Sequence, residues 1–397
     1  MEGNLLVVHG GGPTAVLNAS LYGVIREAQK NPDIKKIYGA IGGSEAILTE
    51  NFLDMGELED EKIELLLQTP GTAIGSSRFP LEQEQYEAMV DILKKNDIKY
   101  VLFNGGNGSM DTCGKVSKVC ADEGIYVVGI PKTMDNDISI IDHAPGFPSA
   151  AKYIATVTKE VGADVKSLPI HVCVIEAMGR NAGWITAASV LARKEPGDAP
   201  HLVYLPERNF KEEEFLEDVK RLYDELGGVV VVVSEGLRNE EGDYVTNTLK
   251  DRAVDAFGHK ILAGASRFLE EILRQEIGCK VRSIELNVMQ RCASHLASAA
   301  DIHEARLIGM AAADYAISGG SGKMACLQRV STNPYRFTVD FVDITKIANR
   351  VKTVPEEWIN EAGNDVTQEM IDYLLPLIQG EMPCTYKNGV PVHLRLY

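Results

Sequence analysis

Residues 131–137 read PKTMDND, so Asp135 and Asp137 stand two residues apart, with Lys132 three before the first. A carboxylate there can take a proton from a hydroxyl, and a nearby cation can neutralise charge on a group in transfer. In isolation the heptapeptide reads as a solvated turn, with Asp135 capping the next helix and Lys132 at the surface. Its company changes that reading. Gly10-Gly11-Gly12 follows one apolar run and leads into a helical pattern around Asn18. Gly105-Gly106-Asn107-Gly108-Ser109 repeats the arrangement after YVLFN. Glycines in such turns let backbone N–H groups approach a phosphate at a helix N-terminus. A third loop, PGTAIGSSR, adds hydroxyls and Arg78. A carboxylate beside bound phosphates is repelled unless it has work to do. Phosphoryl transfer to a sugar hydroxyl supplies that work, with Asp135 as base and Lys132 as the compensating charge.

Other groups fit the same chemistry. EAMGRNAG ends an apolar run at Met178, with Gly179 permitting close approach and Arg180 offering a fork for phosphate or sugar oxygens. Glu235 follows five consecutive valines and can hydrogen-bond sugar hydroxyls. Arg282 and Arg291, nine residues apart, could converge on one anion. Each also has a plain reading as a core methionine, a turn glycine or a solvated charge. The glycine turns match neither GxGxxG nor the P-loop pattern, which disfavours a dinucleotide-dependent oxidoreductase.

The elements that must position these groups are legible as runs. LLVVHGGG, YVLFNGGNGS, YVVGIPKT, HVCVIEAMG, HLVYLPE and VVVVVSEG are apolar and end in glycine or a polar turn. LNASLYGVIREAQK, LEQEQYEAMVDILKKN and FKEEEFLEDVKRLYDEL, between them, are helix-like. Continuous apolar strands alternating with helices predict an α/β protein with parallel sheets, whose ligands bind beyond the carboxyl ends of strands. The chain's 397 residues suggest two domains, or one large one with insertions, and IDHAPGFPSA, broken by glycine and prolines, is the best candidate for a boundary between two lobes.

Composition narrows the partners. A net charge of −17 argues against nucleic acid. No run is long and apolar enough to span a bilayer, and the start lacks a signal peptide's features. The seven cysteines form no CxxC pair or zinc-like spacing, which predicts reduced, mostly buried thiols in a cytoplasmic protein.

Taken together, the segments from the first strand to beyond Arg291 resemble the phosphofructokinase family of the bacterial type. The resemblance implies a two-lobed, Rossmann-like fold with the active site between lobes. It implies a phosphoryl-donor lobe of residues 1–146 plus about 291–345, and a sugar-phosphate lobe of 147–290 plus about 346–397. It makes Asp135 the general base on the 1-hydroxyl of fructose 6-phosphate, with Asp137 supporting the same centre. Gly11, Arg78 and the loop of Asn107, Gly108 and Ser109 fall to the donor. Thr133, Met178, Gly179, Arg180, Glu235, Arg282 and Arg291 fall to the sugar phosphate. Family members use Mg²⁺ and assemble as homodimers or homotetramers with residues shared across an interface.

The donor divides the motifs. Lys132, the opening GGGPTAVLNAS and Asn107, in place of the aspartate expected to hold Mg²⁺, match the pyrophosphate-using pattern. Gly108 matches the ATP-using one, whereas FPLEQE after Arg78 offers no arginine to pack on adenine. The balance predicts pyrophosphate, with ATP as the alternative. His171 and Val288 replace an interface arginine and a histidine or tyrosine that usually bind the sugar's 6-phosphate. That leaves room for another phosphosugar such as sedoheptulose 7-phosphate. Tyr22 replaces an effector-binding arginine, so nucleotide regulation is not expected. Asp135 together with Lys132 argues against a non-catalytic sensor on the same fold.

Overall fold

The computed structural model describes residues 2–248, 264–347 and 350–396. Its strands, in chain order, are β1 (Gly3–His9), β2 (Ile34–Ala40), β3 (Phe52–Asp54), β4 (Ile98–Gly105) and β5 (Tyr126–Pro131). There follow β6 (His171–Ala177), β7 (Leu202–Tyr204), β8 (Val229–Ser234) and β9 (Lys280–Glu285), then β10 (Lys323–Thr332) and β11 (Tyr335–Asp343).

By its contacts the chain divides into two compact units. The first comprises Met1–Ser149, Arg291–Arg350 and Leu377–Tyr397, and the second Ala150–Gln290 and Val351–Pro376. Among the described residues, the first holds a seven-stranded sheet in the order β11-β10-β5-β4-β1-β2-β3. Its pairings from β10 to β2 are parallel, and β3 and β11 run antiparallel at the two edges. The second unit holds a parallel sheet in the order β7-β8-β6-β9.

Why these runs become strands follows from period-two geometry. On β1, Leu6 and Val8 pack on one face with Val101 and Phe103, while Leu5 and Val7 pack on the other with Tyr100 and Leu102. Both faces are covered, so the central positions of both faces are apolar, and each such side chain contributes about 1.5–3 kcal/mol of burial. In β8 the same rule produces the run of valines, with Val229, Val231 and Val233 in one core cluster.

The division of the chain falls inside IDHAPGFPSA, between Ser149 and Ala150, and one expectation, the placing of the C-terminal residues, is corrected. Phe147–Ser167 is one continuous helix. Pro148 sits in its first turn, where a missing N–H costs nothing. At the C-terminus, residues 377–397 pack with the first unit and not the second. Gln68 Nε2 donates to the Val392 carbonyl (2.6 Å), Leu394 N–H donates to Thr69 Oγ1 (2.8 Å), and Leu394 and Leu396 join the first unit's core. Four cysteines are buried as expected, but Cys292 is exposed and Cys279 and Cys384 are half-buried; all seven are free thiols. No described helix is long and apolar enough to cross a membrane.

Candidate active site

β1, β4 and β5 are neighbours in the first sheet and end side by side, which brings their following loops together. Gly10, Gly11 and Gly12 leave β1. The PGTAIGSSR loop is tied to them, since Gly11 N–H donates to the Ser77 carbonyl (3.2 Å) and Ser76 Oγ to the Gly11 carbonyl (2.8 Å). Gly11 holds φ at +75°, a left-handed turn that favours glycine. β4 leads into the helix Asn107–Val119, whose first recorded backbone bond runs from Met110 N–H to the Gly106 carbonyl (3.0 Å). The N–H groups of 107–109 precede that bond and give this end its positive partial charge.

Lys132 follows β5 and is 2 % exposed. The reading of this lysine as a surface charge therefore fails. Its ammonium donates to the Gly10 carbonyl (3.1 Å) and to the Gly12 carbonyl, lacing the end of β5 to the glycine turn across β4. Burial pushes its pKa down to about 8. Asp135 and Asp137 oppose that fall, while Arg291 and Arg78 add to it.

Three cations meet at this turn. A Cβ built on Gly12 would lie 2.9 Å from Arg291 Nη1 and 3.6 Å from Arg78 Nη2. One built on Gly11 would lie 3.6 Å from Lys132 Nζ and 4.0 Å from Ser109 Oγ. In a chain of net charge −17, such a local excess of positive groups is what an anion needs. Arg291 thus stands beside Gly12 and Arg78 in the first unit, whereas Arg282 belongs to the second.

The acids sit on the loop after Lys132. Asp135 N–H donates to Thr133 Oγ1 (3.1 Å), fixing the turn that carries the carboxylate. Asn107 Nδ2 donates to Asp137 Oδ2 (3.1 Å). Burial raises the Asp137 pKa, with hydrogen bonds from Thr133 and Asn107 and the Lys132 charge pulling the other way. Asn107 Oδ1 is buried and has no hydrogen-bond partner among the described residues. Gly108, next to it, is exposed, and a Cβ there would meet nothing within 4 Å.

His9 escaped sequence reasoning, being one polar residue at the end of an apolar strand. It is fully buried, its Nδ1 lies 2.7 Å from Thr72 Oγ1, and burial with the Lys132 charge lowers its pKa to about 3. It is a neutral imidazole that braces the glycine turn against the loop carrying Arg78.

In the second unit β6 and β8 are parallel neighbours that end together. Gly179, at φ +130°, donates its N–H to Glu235 Oε1 (3.2 Å), and Ser234 Oγ donates to the Gly179 carbonyl (2.7 Å). A Cβ on Gly179 would lie 2.5 Å from the Ala182 carbonyl oxygen, so only glycine fits. Met178 and Arg180 flank it and are half-buried. Arg282 is exposed on β9 opposite Cys173. That is four residues before the end of β6 at Ala177, or about 13 Å at ~3.3 Å per residue.

Among the described residues no group of three or more His, Cys, Asp or Glu side chains could hold a metal. The donor set present is the Asn107 amide oxygen beside the Asp137 carboxylate, both hard oxygens. That suits a magnesium ion carried mainly by substrate phosphates rather than by a protein cage.

The phosphofructokinase family model matches residues 4–316. A pyrophosphate–fructose 6-phosphate 1-phosphotransferase of Halomonas elongata is 39% identical, covering 98% of this chain and 94% of its own. A sulfofructose kinase of Alkalicoccus urumqiensis is 33% identical over 91% of this chain and 94% of its own. The crystal structure of a pyrophosphate-dependent phosphofructokinase from Nitrosospira multiformis superposes with a TM-score of 0.91 at 36% identity, covering 100% of this chain and 96% of that one. The chain belongs to the phosphofructokinase family.

Proposed function

We propose that this enzyme transfers a phosphoryl group from pyrophosphate to the 1-hydroxyl of fructose 6-phosphate, giving fructose 1,6-bisphosphate and phosphate. The observation that carries the donor assignment is Lys132, buried against the glycine turn with Arg78 and Arg291 beside it. A donor without adenosine must be held by its phosphates alone, and these three cations answer that need. The 36–39% identical relatives named above are described as using pyrophosphate, which supports the same reading.

In this reading the first unit binds the donor and the second the sugar phosphate. Asp135 takes the proton of the 1-hydroxyl as its oxygen attacks the terminal phosphorus. The bond from that phosphorus to the bridging oxygen breaks, and phosphate leaves with the charge that Lys132, Arg78 and Arg291 offset. Asp137 and Thr133 hold the loop of Asp135 in place. Asn107 and Asp137 would hold Mg²⁺, which when bound neutralises phosphate oxygens. Met178, Gly179, Arg180 and Glu235 bind the sugar. Arg282, far along β9 from the Gly179–Glu235 corner of its own sheet, serves the sugar phosphate of a second copy in a homo-oligomer. The free thiols support a reducing compartment, the cytoplasm.

ATP is the second reading, favoured by the open space at Gly108. Side-by-side assays with pyrophosphate and ATP test the two, and ATP turnover without pyrophosphate turnover rejects the first. Gly108→Asp should fold normally, since its side chain meets open space at a helix N-terminus, where an acid stabilises by about 0.3–1 kcal/mol. It should abolish any residual ATP activity and spare pyrophosphate, read by steady-state kinetics and thermal melting.

The arginines give a separate test. Losing a charged hydrogen bond costs roughly 1.5–3 kcal/mol, so either alanine variant should raise a KM about tenfold or more. Arg282→Ala should act on the sugar phosphate alone. Arg291→Ala, beside Gly12 and Arg78, should raise the KM of pyrophosphate as well. Identical profiles for the two variants would reject this division.

A further inference from the structure

The loop that carries Asp135 and Asp137 returns to its start. Thr133 N–H donates to the Pro145 carbonyl (3.2 Å), and Ala144 N–H donates to Asn136 Oδ1 (3.1 Å). Asn136 is buried and in the left-handed region, φ +53°, so its side chain and backbone both shape the turn between the two acids. His143, immediately before Ala144, is fully buried. Its Nδ1 lies 2.7 Å from Asp142 Oδ2, and its Nε2 lies 2.6 Å from Glu304 Oε2, on the helix Ala299–Ile317.

The groups facing this imidazole come from each element around it. Tyr335 on β11 donates to the other Glu304 oxygen (2.6 Å). Arg329 on β10 donates to Asp142 Oδ2 (3.1 Å) and lies 5.1 Å from the centre of the Tyr335 ring. One turn before Glu304, Asp301 accepts from Gly146 N–H (3.0 Å), Ser149 N–H (3.0 Å) and Ser149 Oγ (2.6 Å). Two carboxylates spaced three apart on one helix face therefore grip the end of the loop and the first turn of the helix Phe147–Ser167 that follows it.

We propose that His143, held as an imidazolium between Asp142 and Glu304, is a positioning residue for phosphoryl transfer that locks the loop bearing Asp135 in its working shape. Burial alone would push the imidazole's pKa down, but the Glu304 charge and the hydrogen bonds to Asp142 and Glu304 outweigh it and lift the pKa to about 9. Both ring nitrogens then carry protons and donate, one to each acid. His143 touches no reacting atom. Its effect runs through Ala144 and Asn136 to Asp135, and a general base displaced by a fraction of an ångström loses much of its rate.

This inference rests on Asp135 being the base, so the experiment is a double-mutant cycle of His143→Gln with Asp135→Asn. His143→Gln should lower kcat roughly ten- to a hundredfold, with the KM of both substrates within about twofold of wild type. In the Asp135→Asn background it should cost nothing further, because the group it positions is gone. Glu304→Gln, which keeps a hydrogen-bond acceptor but removes a charge from the clamp, should show the same pattern in smaller degree. It supplies the reading by the same criteria should His143→Gln fail to fold. Near-wild-type kcat in the folded clamp variant, with Asp135→Asn inactive, overturns the inference and leaves the proposed function standing. An equal loss in both backgrounds also overturns it, as general damage. Full turnover by Asp135→Asn instead removes the proposed base, and the inference with it.

Discussion

Asp135→Asn is expected to reduce turnover by on the order of a hundredfold to ten-thousandfold, while the protein folds and binds fructose 6-phosphate as before. The substitution keeps the side chain's size and leaves the backbone bond from Asp135 N–H to Thr133 Oγ1 in place, so the loop retains its shape. What it removes is the carboxylate's capacity to accept a proton, the role proposed for it beside Lys132, Arg78, Arg291 and a bound donor. A second consequence follows. Asp135 opposes the fall in the Lys132 pKa, so its loss should shift that lysine's titration lower. Near-wild-type turnover in this variant would take Asp135 out of the mechanism.

Loss of Lys132 should be nearly as severe and more selective. Lys132→Gly removes the ammonium, opens a void and leaves the Gly10 and Gly12 carbonyls without their donor. Lys132→Met separates these effects by keeping most of the volume. Both variants should lose most pyrophosphate turnover, and any ATP turnover should fall less, because ATP carries further groups by which a donor can be held.

The pH dependence has a definite sign. With a pKa of about 8 in the free enzyme, Lys132 loses its charge above that pH. kcat/KM for pyrophosphate should then drop about tenfold per pH unit above 8, since that parameter reports the free enzyme. kcat should hold to higher pH, because a bound polyanion favours the protonated amine. The residual activity of Lys132→Met keeps the ionisations of Asp135 and of the donor but not that of this lysine, so the difference between the alkaline limbs belongs to the lysine. A wild-type profile that matches the methionine variant's would show that Lys132 does not titrate in the site.

Much of the scaffold was legible because it is written in short-range pattern. β1, β4, β5, β6 and β8 are buried on both faces, so each has an apolar stretch at its centre, and each ends at a glycine or polar turn that marks the carboxyl edge. The turn at Gly10–Gly12, the helix start at Asn107 and the corner of Gly179 with Glu235 all lie directly after such strands. Their residue types follow from local demands: a left-handed φ, a free helix end, a close backbone approach.

Other features could not be read locally. β11 alternates half-buried and exposed residues, since it is an antiparallel edge strand, and it carries no apolar run. The C-terminal residues 377–397 take their place through bonds to Gln68 and Thr69, more than three hundred residues away. The burial of Lys132 is likewise non-local, because its partners belong to a loop some 120 residues earlier. Arg291 reaches Gly12, and His143 reaches Glu304 across 161 positions, only once β10 and the helix Ala299–Ile317 pack onto the first sheet. A period of two or 3.6 residues records which face of an element is buried, but not against what. The choice among apolar neighbours, and with it whether a charge ends in water or in a clamp, rests on long-range packing that no local pattern encodes.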